Sequence, residues 1–190
     1  MYEMLPIYVV NNHGQFNHLI QRMLRDLDIG VKMVPNTTPP EEIATGCRGV
    51  ILGGGPTLER AGNAPLYLSL GLPVLGICLG LHIIATTFGG RVRPGRSGGY
   101  GPVDVEITEH DGILAGYPST LHVWASHADE VEVIPDGFIR LARSSVCNNE
   151  AIADPEKHIY GLQWHPEVSH TLEGKRVYEN FDRITREYRL

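Results

Sequence analysis

The strongest structural signal in this chain is the stretch Leu72-Pro73-Val74-Leu75-Gly76-Ile77-Cys78-Leu79-Gly80. Its first half is an apolar run, which predicts a buried strand, and that run ends at a cysteine flanked by glycines. The mostly apolar residues 79–88 then predict a helix. A cysteine at such a turn is lifted out of the sheet beside the free amides of a helix N-terminus. Those amides lower a thiol pKa and can stabilise an oxyanion, so Cys78 is a candidate nucleophile.

A candidate base and carboxylate lie far downstream, in His165-Pro166-Glu167, where they follow the predicted strand of residues 159–163. Cysteine, histidine and glutamate together predict nucleophilic catalysis. Taken alone, a buried cysteine is more often an inert core residue than a nucleophile, and the His165-Pro166-Glu167 stretch is as typical of an ordinary loop histidine as of a catalytic one. The glycine-flanked turn and the histidine–glutamate pair together favour the catalytic interpretation.

A glycine-rich loop, residues 53–56, follows the predicted strand of residues 49–52. It resembles a phosphate cradle but lacks the Lys-Ser/Thr pair of a P-loop. We interpret it as a source of backbone N–H groups for a developing oxyanion. Pro56 carries no N–H, so Gly55 is the last donor that the loop offers.

The first half of the chain alternates strands with helices. Strands are predicted over residues 5–10, 31–34, 49–52 and 72–77, and helices over 15–28, from 39 and over 64–70. Gly30 is expected to close the first helix and Thr38 to cap the second. This alternation predicts an α/β fold of three layers, with a central, mostly parallel sheet and helices on both faces. Sites in such sheets form at the carboxyl ends of the strands, where Cys78 and the glycine loop fall.

The second half of the chain changes to short strands, predicted over residues 103–107, 121–124, 131–134, 138–142 and 159–163. We interpret them as a mixed, partly antiparallel continuation of the same sheet. An amphipathic helix over residues 174–188 is expected to pack against it. No repeat or linker is evident, so a single domain over residues 1–190 is predicted.

Composition excludes several functions. A formal charge of −6 argues against nucleic acid as the main partner, and no apolar run approaches the roughly 20 residues of a membrane span. The first residues lack the pattern of a signal peptide. The three cysteines and nine histidines show no metal-type spacing, so we predict no metal site and no disulfide framework. A cytoplasmic location is expected.

These motifs resemble the class I glutamine amidotransferases, the triad type that releases ammonia from glutamine. The matching stretches are residues 52–56, 76–80 and 161–168. The resemblance implies a triad of Cys78, His165 and Glu167, with glutamine as substrate. It also implies that the N–H groups of Gly55 and Leu79 form the oxyanion hole. The substrate-binding residues that it implies are Gly54, His82, Ser126, His127, Ala128 and Asp129.

Other stretches are similar to the branch of this family that serves two-chain GMP synthases. They are residues 14–16, 35–39, 124–131, 170–171, 174 and 180–181. The resemblance implies a partner chain, the ATP-pyrophosphatase (synthetase) subunit, which would use Mg-ATP to activate xanthosine monophosphate. It implies no cofactor in this chain.

The sequence departs from the family pattern at three places. His82 stands where the family usually carries glutamine, so we expect weaker glutamine binding that depends on pH. Gly98-Gly99 stands where an acidic contact is common. Asn11 replaces a common aspartate after the first strand.

Three other functions stay open from the sequence. The chain could serve a different biosynthetic pathway, such as anthranilate or histidine synthesis. It could be a stand-alone cysteine hydrolase or peptidase with the same kind of triad. It could also be a catalytically weak regulatory subunit, with His82 as the mark of that loss.

Overall fold

The computed structural model describes residues 4–188, leaving aside the side chains of residues 96–99, among which the predicted departure at Gly98-Gly99 lies. Its first half alternates strands and helices as the sequence predicts. The elements are β1 (Ile7–Asn11), α1 (Asn17–Asp26), β2 (Val31–Pro35), α2 (Pro40–Gly46), β3 (Gly49–Leu52), α3 (Ala64–Tyr67), β4 (Val74–Ile77) and α4 (Leu79–Thr87).

The second half supplies five strands and a final helix. They are β5 (Arg91–Ile107), β6 (Thr120–Val133), β7 (Ile139–Ser144), β8 (Ala151–Asp154), β9 (Ile159–Leu162) and α5 (Lys175–Glu187). Short 3₁₀ turns lie at Leu58–Arg60 and Gly112–Leu114.

All nine of these strands form one sheet in the order β2-β1-β3-β4-β9-β8-β7-β5-β6. The five strands from β2 to β9 run parallel, and the remaining neighbours pair antiparallel. This arrangement confirms the predicted α/β class and its mixed second half. Because β3, β4 and β9 are adjacent and parallel, the loops that follow them meet at one edge of the sheet.

Alternate residues of the parallel strands face opposite layers, as the pleat requires. Ile7, Val9 and Ile51 pack with apolar residues of α1 and α5, while Val10 and Leu52 pack with residues of α2, α3 and α4. Full burial of each such side chain stabilises the fold by about 1.5–3 kcal/mol. Helices therefore cover both faces of the sheet and hold β3 and β4 at its centre.

The residues predicted to close α1 and to cap α2 are both wrong. Gly30 does not close α1, because Asp28 takes the left-handed conformation (φ 57°) and the N–H of Ile29 returns to the carbonyl of Leu24 at 2.9 Å. A short aspartate side chain tolerates that conformation. The hydroxyl of Thr38 donates to the carbonyl of Pro35 at 2.6 Å instead of capping α2.

Strand prediction failed where breaker residues or small residues occur. The strand β8 was missed because Ala-Ile-Ala-Asp carries little β-propensity, although all four residues are buried. The first part of β5 is not predicted because it contains prolines and glycines. The polar and small residues 125–130 divide β6 into two predicted strands. The β5–β6 ladder absorbs these residues through shifts in register.

Candidate active site

Cys78 occupies a sharp turn between β4 and α4, as the sequence predicts. Its backbone has φ 54° and ψ −105°, a combination that residues other than glycine rarely adopt. The N–H of Cys78 donates to the carbonyl of Leu162 at 2.8 Å, and the N–H of Leu81 donates to the carbonyl of Cys78 at 3.0 Å. These bonds tie the turn to β9 on one side and to α4 on the other.

The glycines around Cys78 are needed because the backbone packs closely. A Cβ atom at Gly80 would overlap the carbonyl oxygen of Leu52, and one at Gly76 would overlap the backbone of Gly80. The absence of both side chains lets the start of α4 lie directly against β3. The nucleophile is thus held at the carboxyl end of β4, an interior strand of the sheet.

His165 and Glu167 lie in the loop after β9. The Nδ1–H of His165 donates to Oε1 of Glu167 at 2.6 Å, and both side chains are buried. The backbone of His165 is fixed by a bond from its N–H to the carbonyl of Trp124 (3.1 Å) and by the hydroxyl of Thr171 on its carbonyl (2.7 Å). The structure therefore brings this pair to the same edge of the sheet as Cys78.

The electrostatics of the site favour a charged imidazole. Burial alone lowers the pKa of His165, but the Glu167 carboxylate and a hydrogen bond with Cys78 outweigh it and raise this pKa above its ordinary value. A histidine cation beside a cysteine favours the thiolate, the reactive form of the side chain. The arrangement is that of an activated nucleophile.

Tyr178 adds a contact that sequence reasoning missed. Its hydroxyl, on the inner face of α5, donates to Oε2 of Glu167 at 3.3 Å. The ring is fully buried, and burial raises the pKa of this phenol well above its ordinary value, so it stays a donor. A tyrosine among the apolar positions of an amphipathic helix carries no sequence signal for such a role.

The glycine loop lies beside Cys78 and is anchored by two asparagines. The Asn12 side chain donates to the carbonyl of Gly53 at 3.0 Å, and the Asn17 side chain donates to the carbonyl of Gly54 at 3.1 Å. A Cβ built on Gly54 would lie 3.5 Å from Cε1 of His165. The two asparagines were not predicted as site residues, although Asn12 lies close behind the predicted strand of residues 5–10.

Two cavities meet at Cys78, and both are bounded by Gly55, Pro56 and Ser126. The first, the β6 cavity, has a volume of about 430 Å³. Its wall contains five of the predicted substrate contacts, His82, Ser126, His127, Ala128 and Asp129, together with Leu79 and Tyr100.

The second cavity, the β1-loop cavity, has a volume of about 260 Å³. It is bounded by residues 13–17, Gly54 and His165. The predicted contact Gly54 therefore faces this second cavity, to which Ser126 alone of the other five also contributes.

The two histidines of the β6 cavity are neutral donors. Burial lowers the pKa of both His82 and His127. Nε2 of His82 is bonded to Oε1 of Gln163 at 2.8 Å, and Nδ1 of His127 donates to the carbonyl of Asp129 at 2.8 Å. His82 thus lies in the cavity wall, where its ring is held by a protein partner.

Within the described part of the chain, no three His, Cys, Asp or Glu side chains are grouped to hold a metal ion. The helices described there include none long and apolar enough to cross a membrane.

Known proteins are similar to this chain in sequence and in structure. The family model of class-I glutamine amidotransferases matches residues 8–184, so this chain belongs to that family. Its relatives include a protein of Methanoculleus marisnigri that is named as a subunit of glutamine-hydrolyzing GMP synthase. That relative is 66% identical over 97% of this chain and 100% of its own length. The protein of the same name from Methanoregula boonei is 69% identical, with the same coverage.

A solved structure extends the likeness to the whole fold. The crystal structure of a protein from Thermoplasma acidophilum, provisionally assigned as the same GMP synthase subunit, superimposes with a TM-score of 0.94. That protein is 36% identical to this chain, and the match covers 100% of this chain and 98% of the other.

Proposed function

We propose that this chain is the glutaminase subunit of a two-chain GMP synthase. The observation that carries the proposal is the turn that places Cys78 in the same cavity as a buried, hydrogen-bonded His165–Glu167 pair, in a chain that belongs to the class-I amidotransferases. Full-length likeness to proteins named as subunits of glutamine-hydrolyzing GMP synthase supports this particular pathway. Glutamine is the substrate, and the partner is the ATP-pyrophosphatase subunit.

The first half of the reaction forms a thioester. The Cys78 thiolate attacks the side-chain amide carbon of glutamine, and the oxygen of that carbonyl becomes an oxyanion. The N–H groups of Gly55 and Leu79 hold this oxyanion, at about 3 kcal/mol per donor in comparable sites. His165 gives its proton to the amide nitrogen, the carbon–nitrogen bond breaks, and ammonia leaves.

The second half returns the enzyme to its starting state. Neutral His165 takes a proton from water while the water oxygen attacks the thioester carbon. The carbon–sulfur bond breaks, glutamate leaves, and Cys78 is again a thiolate beside a histidine cation. Glu167 holds the imidazole in place and supports its charge throughout. Ammonia passes to xanthosine monophosphate that the partner has activated with Mg-ATP, which gives GMP.

The glutamine is assigned to the β6 cavity. Its wall presents Asp129, the polar groups of residues 126–128 and the buried ring of His82, which suits the charged end of an amino acid. His165, which protonates the departing nitrogen, lines the β1-loop cavity together with Gly54. In this proposal the amino-acid end and the leaving group therefore lie in different cavities, which share Cys78 in their walls.

The test is ammonia release from glutamine by this chain, alone and then with the ATP-using subunit of a GMP synthase, Mg-ATP and xanthosine monophosphate. We expect a rate that rises sharply in the full mixture, with GMP formed. Cys78→Ala should abolish both products. Cys147→Ala is the matched control, because this buried cysteine lines neither cavity and its loss should leave the rate unchanged.

Other outcomes contradict the proposal in different ways. Steady glutamine hydrolysis that ignores the partner would indicate a stand-alone hydrolase. Ammonia release that responds to the synthase subunit of another pathway would move the chain to that pathway. A folded chain that releases no ammonia with its cognate partner would be a regulatory subunit.

A further inference from the structure

Gln163 lies between Cys78 and His82. It falls within the matching stretch of residues 161–168, but the sequence predicts no role for it. Its side chain is fully buried, one position beyond the end of β9. Oε1 of Gln163 is 2.8 Å from Nε2 of His82. Its other end, Nε2, donates to Sγ of Cys78, with 3.8 Å between the nitrogen and the sulfur.

In the structure, the oxygen of the Gln163 amide faces His82 and its nitrogen faces the thiol of Cys78. A carbonyl oxygen only accepts, so Nε2 of His82 must carry the hydrogen in this bond. His82 is neutral, since burial lowers its pKa, and its other ring nitrogen is therefore unprotonated. With Oε1 of Gln163 held by His82, the amide NH₂ group is directed at Cys78.

The two protonation states of Cys78 have different partners. A neutral thiol can donate to the carbonyl of Ser126, which lies 3.6 Å from Sγ. A thiolate loses that bond and needs donors, which His165 and the Gln163 amide supply. The other titratable groups that act on His82 are His127 and Asp129, both on β6.

We propose that Gln163 is a catalytic residue that donates an N–H to the Cys78 thiolate, and that His82 is the positioning residue that orients it. This inference rests on the proposed role of Cys78 as the nucleophile. It gives the histidine at position 82 a role within the protein, separate from any contact with glutamine. The thiolate is then held from two sides, by His165 and by Gln163.

The test is the alkylation of Cys78 by iodoacetamide across a range of pH, followed by peptide mapping of the modified cysteine. The whole chain is used without glutamine or partner, so the result does not depend on turnover. Gln163→Met keeps the length of the side chain but removes the donor. We expect the midpoint of its rate–pH curve to move up by about one pH unit, a tenfold loss of thiolate below that midpoint.

The variants of His82 test the positioning role. His82→Leu leaves the Gln163 amide without its anchor and should move the midpoint in the same direction by a smaller amount. His82→Gln keeps a donor of suitable chemistry and should restore the midpoint of the wild type. Ile83→Val is the matched control, because it changes buried packing on the same helix without touching the amide, and its midpoint should not move.

Three results would overturn the inference. An unchanged midpoint in folded Gln163→Met and His82→Leu would make the pair a packing contact. A downward shift would mean that the amide presents its carbonyl to the thiol. A higher KM for glutamine in His82→Leu with an unchanged alkylation curve would make His82 a substrate contact. Failure of the proposed function is separate, since it would show as no glutamine turnover with the partner while these midpoints still shift.

Discussion

At the scale of single residues, the carboxylate of Glu167 is held through both of its oxygens. Oε1 accepts from His165 at 2.6 Å and Oε2 accepts from Tyr178 at 3.3 Å. A carboxylate with only the first bond could turn about its terminal torsion and carry the imidazole with it. The tyrosine removes that freedom and satisfies an oxygen that is buried from water.

Tyr178→Phe tests this contact by deleting one hydroxyl. Oε2 of Glu167 would be left buried without a donor, so we expect the free energy of unfolding to fall by about 1–3 kcal/mol. With the carboxylate less well fixed, kcat for ammonia release should fall while KM for glutamine stays unchanged. Urea unfolding and steady-state kinetics with the partner subunit measure the two effects.

Tyr160→Phe is the matched control for that change. Tyr160 is a buried tyrosine of β9 whose hydroxyl makes no hydrogen bond with another described residue. Its loss should alter neither stability nor kcat by a comparable amount. Equal effects of the two substitutions would show that the Tyr178 hydroxyl has no special part in holding Glu167.

At the scale of elements, the turn from β4 to α4 stores strain in the backbone of Cys78. The combination of φ 54° and ψ −105° costs a residue with a side chain about 1–3 kcal/mol. Cys78→Gly and Cys78→Ala both remove the thiol, but only glycine adopts this conformation freely. We therefore expect the glycine variant to be the more stable of the two in urea unfolding, despite its greater freedom in the unfolded chain.

Ala85→Gly is the reference, because at this position we expect glycine to lower the free energy of unfolding relative to alanine. Ala85 lies in α4, where glycine costs roughly 1 kcal/mol relative to alanine. If the glycine variant at position 78 were also the less stable one, the turn would hold no strain worth relieving.

The close approach of α4 to β3 gives a second prediction. The Cβ of Gly80→Ala would overlap the carbonyl oxygen of Leu52, and backbone cannot yield as a flexible side chain does. We expect unfolding to become easier by about 1–3 kcal/mol. Gly30→Ala is the control, because its Cβ would meet its nearest neighbour at 3.7 Å, an ordinary contact. A stable Gly80→Ala variant would mean that α4 shifts at little cost.

Local patterns were sufficient to predict the elements that build the site. The run of residues 72–80 predicted β4, the turn and α4, and the glycines after residue 52 predicted the end of β3. The strand β8 was not predicted, because alanine has little preference for strands and adopts one here only where the strand is buried within the sheet. Neither Gln163 nor Tyr178 could be found, since each acquires its contact only when distant elements pack.

At the scale of the whole molecule, Glu130 and Glu150 are among the carboxyl groups that the second half of the sheet buries. Oε1 of Glu150 accepts from the hydroxyl of Ser144 at 2.6 Å, and Oε1 of Glu130 accepts from Arg93. The second oxygen of each has no hydrogen-bond partner among the described residues. Burial, with the charge of Glu130 adding to it, raises the pKa of Glu150 to about 7.

This raised pKa predicts how stability changes with pH. The ordinary pKa of the group is 4.5, so between about pH 4.5 and 7 the folded chain binds more protons than the unfolded one. The contribution of Glu150 to the free energy of unfolding therefore falls as pH rises through that window, by about 3 kcal/mol at most. Glu150→Gln keeps an acceptor for Ser144 and should remove this slope.

Urea unfolding at several pH values between 4.5 and 8 measures the difference. The exposed Glu109→Gln should reproduce the pH dependence of the wild type. A wild-type curve and a Glu150→Gln curve that run parallel through the window would contradict the prediction.

The position of β6 in the sheet has a mechanical consequence. It is the last strand of the order and pairs only with β5 among the described strands, and the register of that ladder shifts opposite His127–Asp129. Amides there have fewer neighbours to break before they open, so hydrogen–deuterium exchange should be faster in residues 126–129 than in β3 or β4. The backbone in the wall of the β6 cavity is therefore expected to open more easily than β4, the interior strand that carries the nucleophile. A small molecule that binds residues 126–129 would slow hydrogen–deuterium exchange there and leave the geometry around Cys78 unchanged.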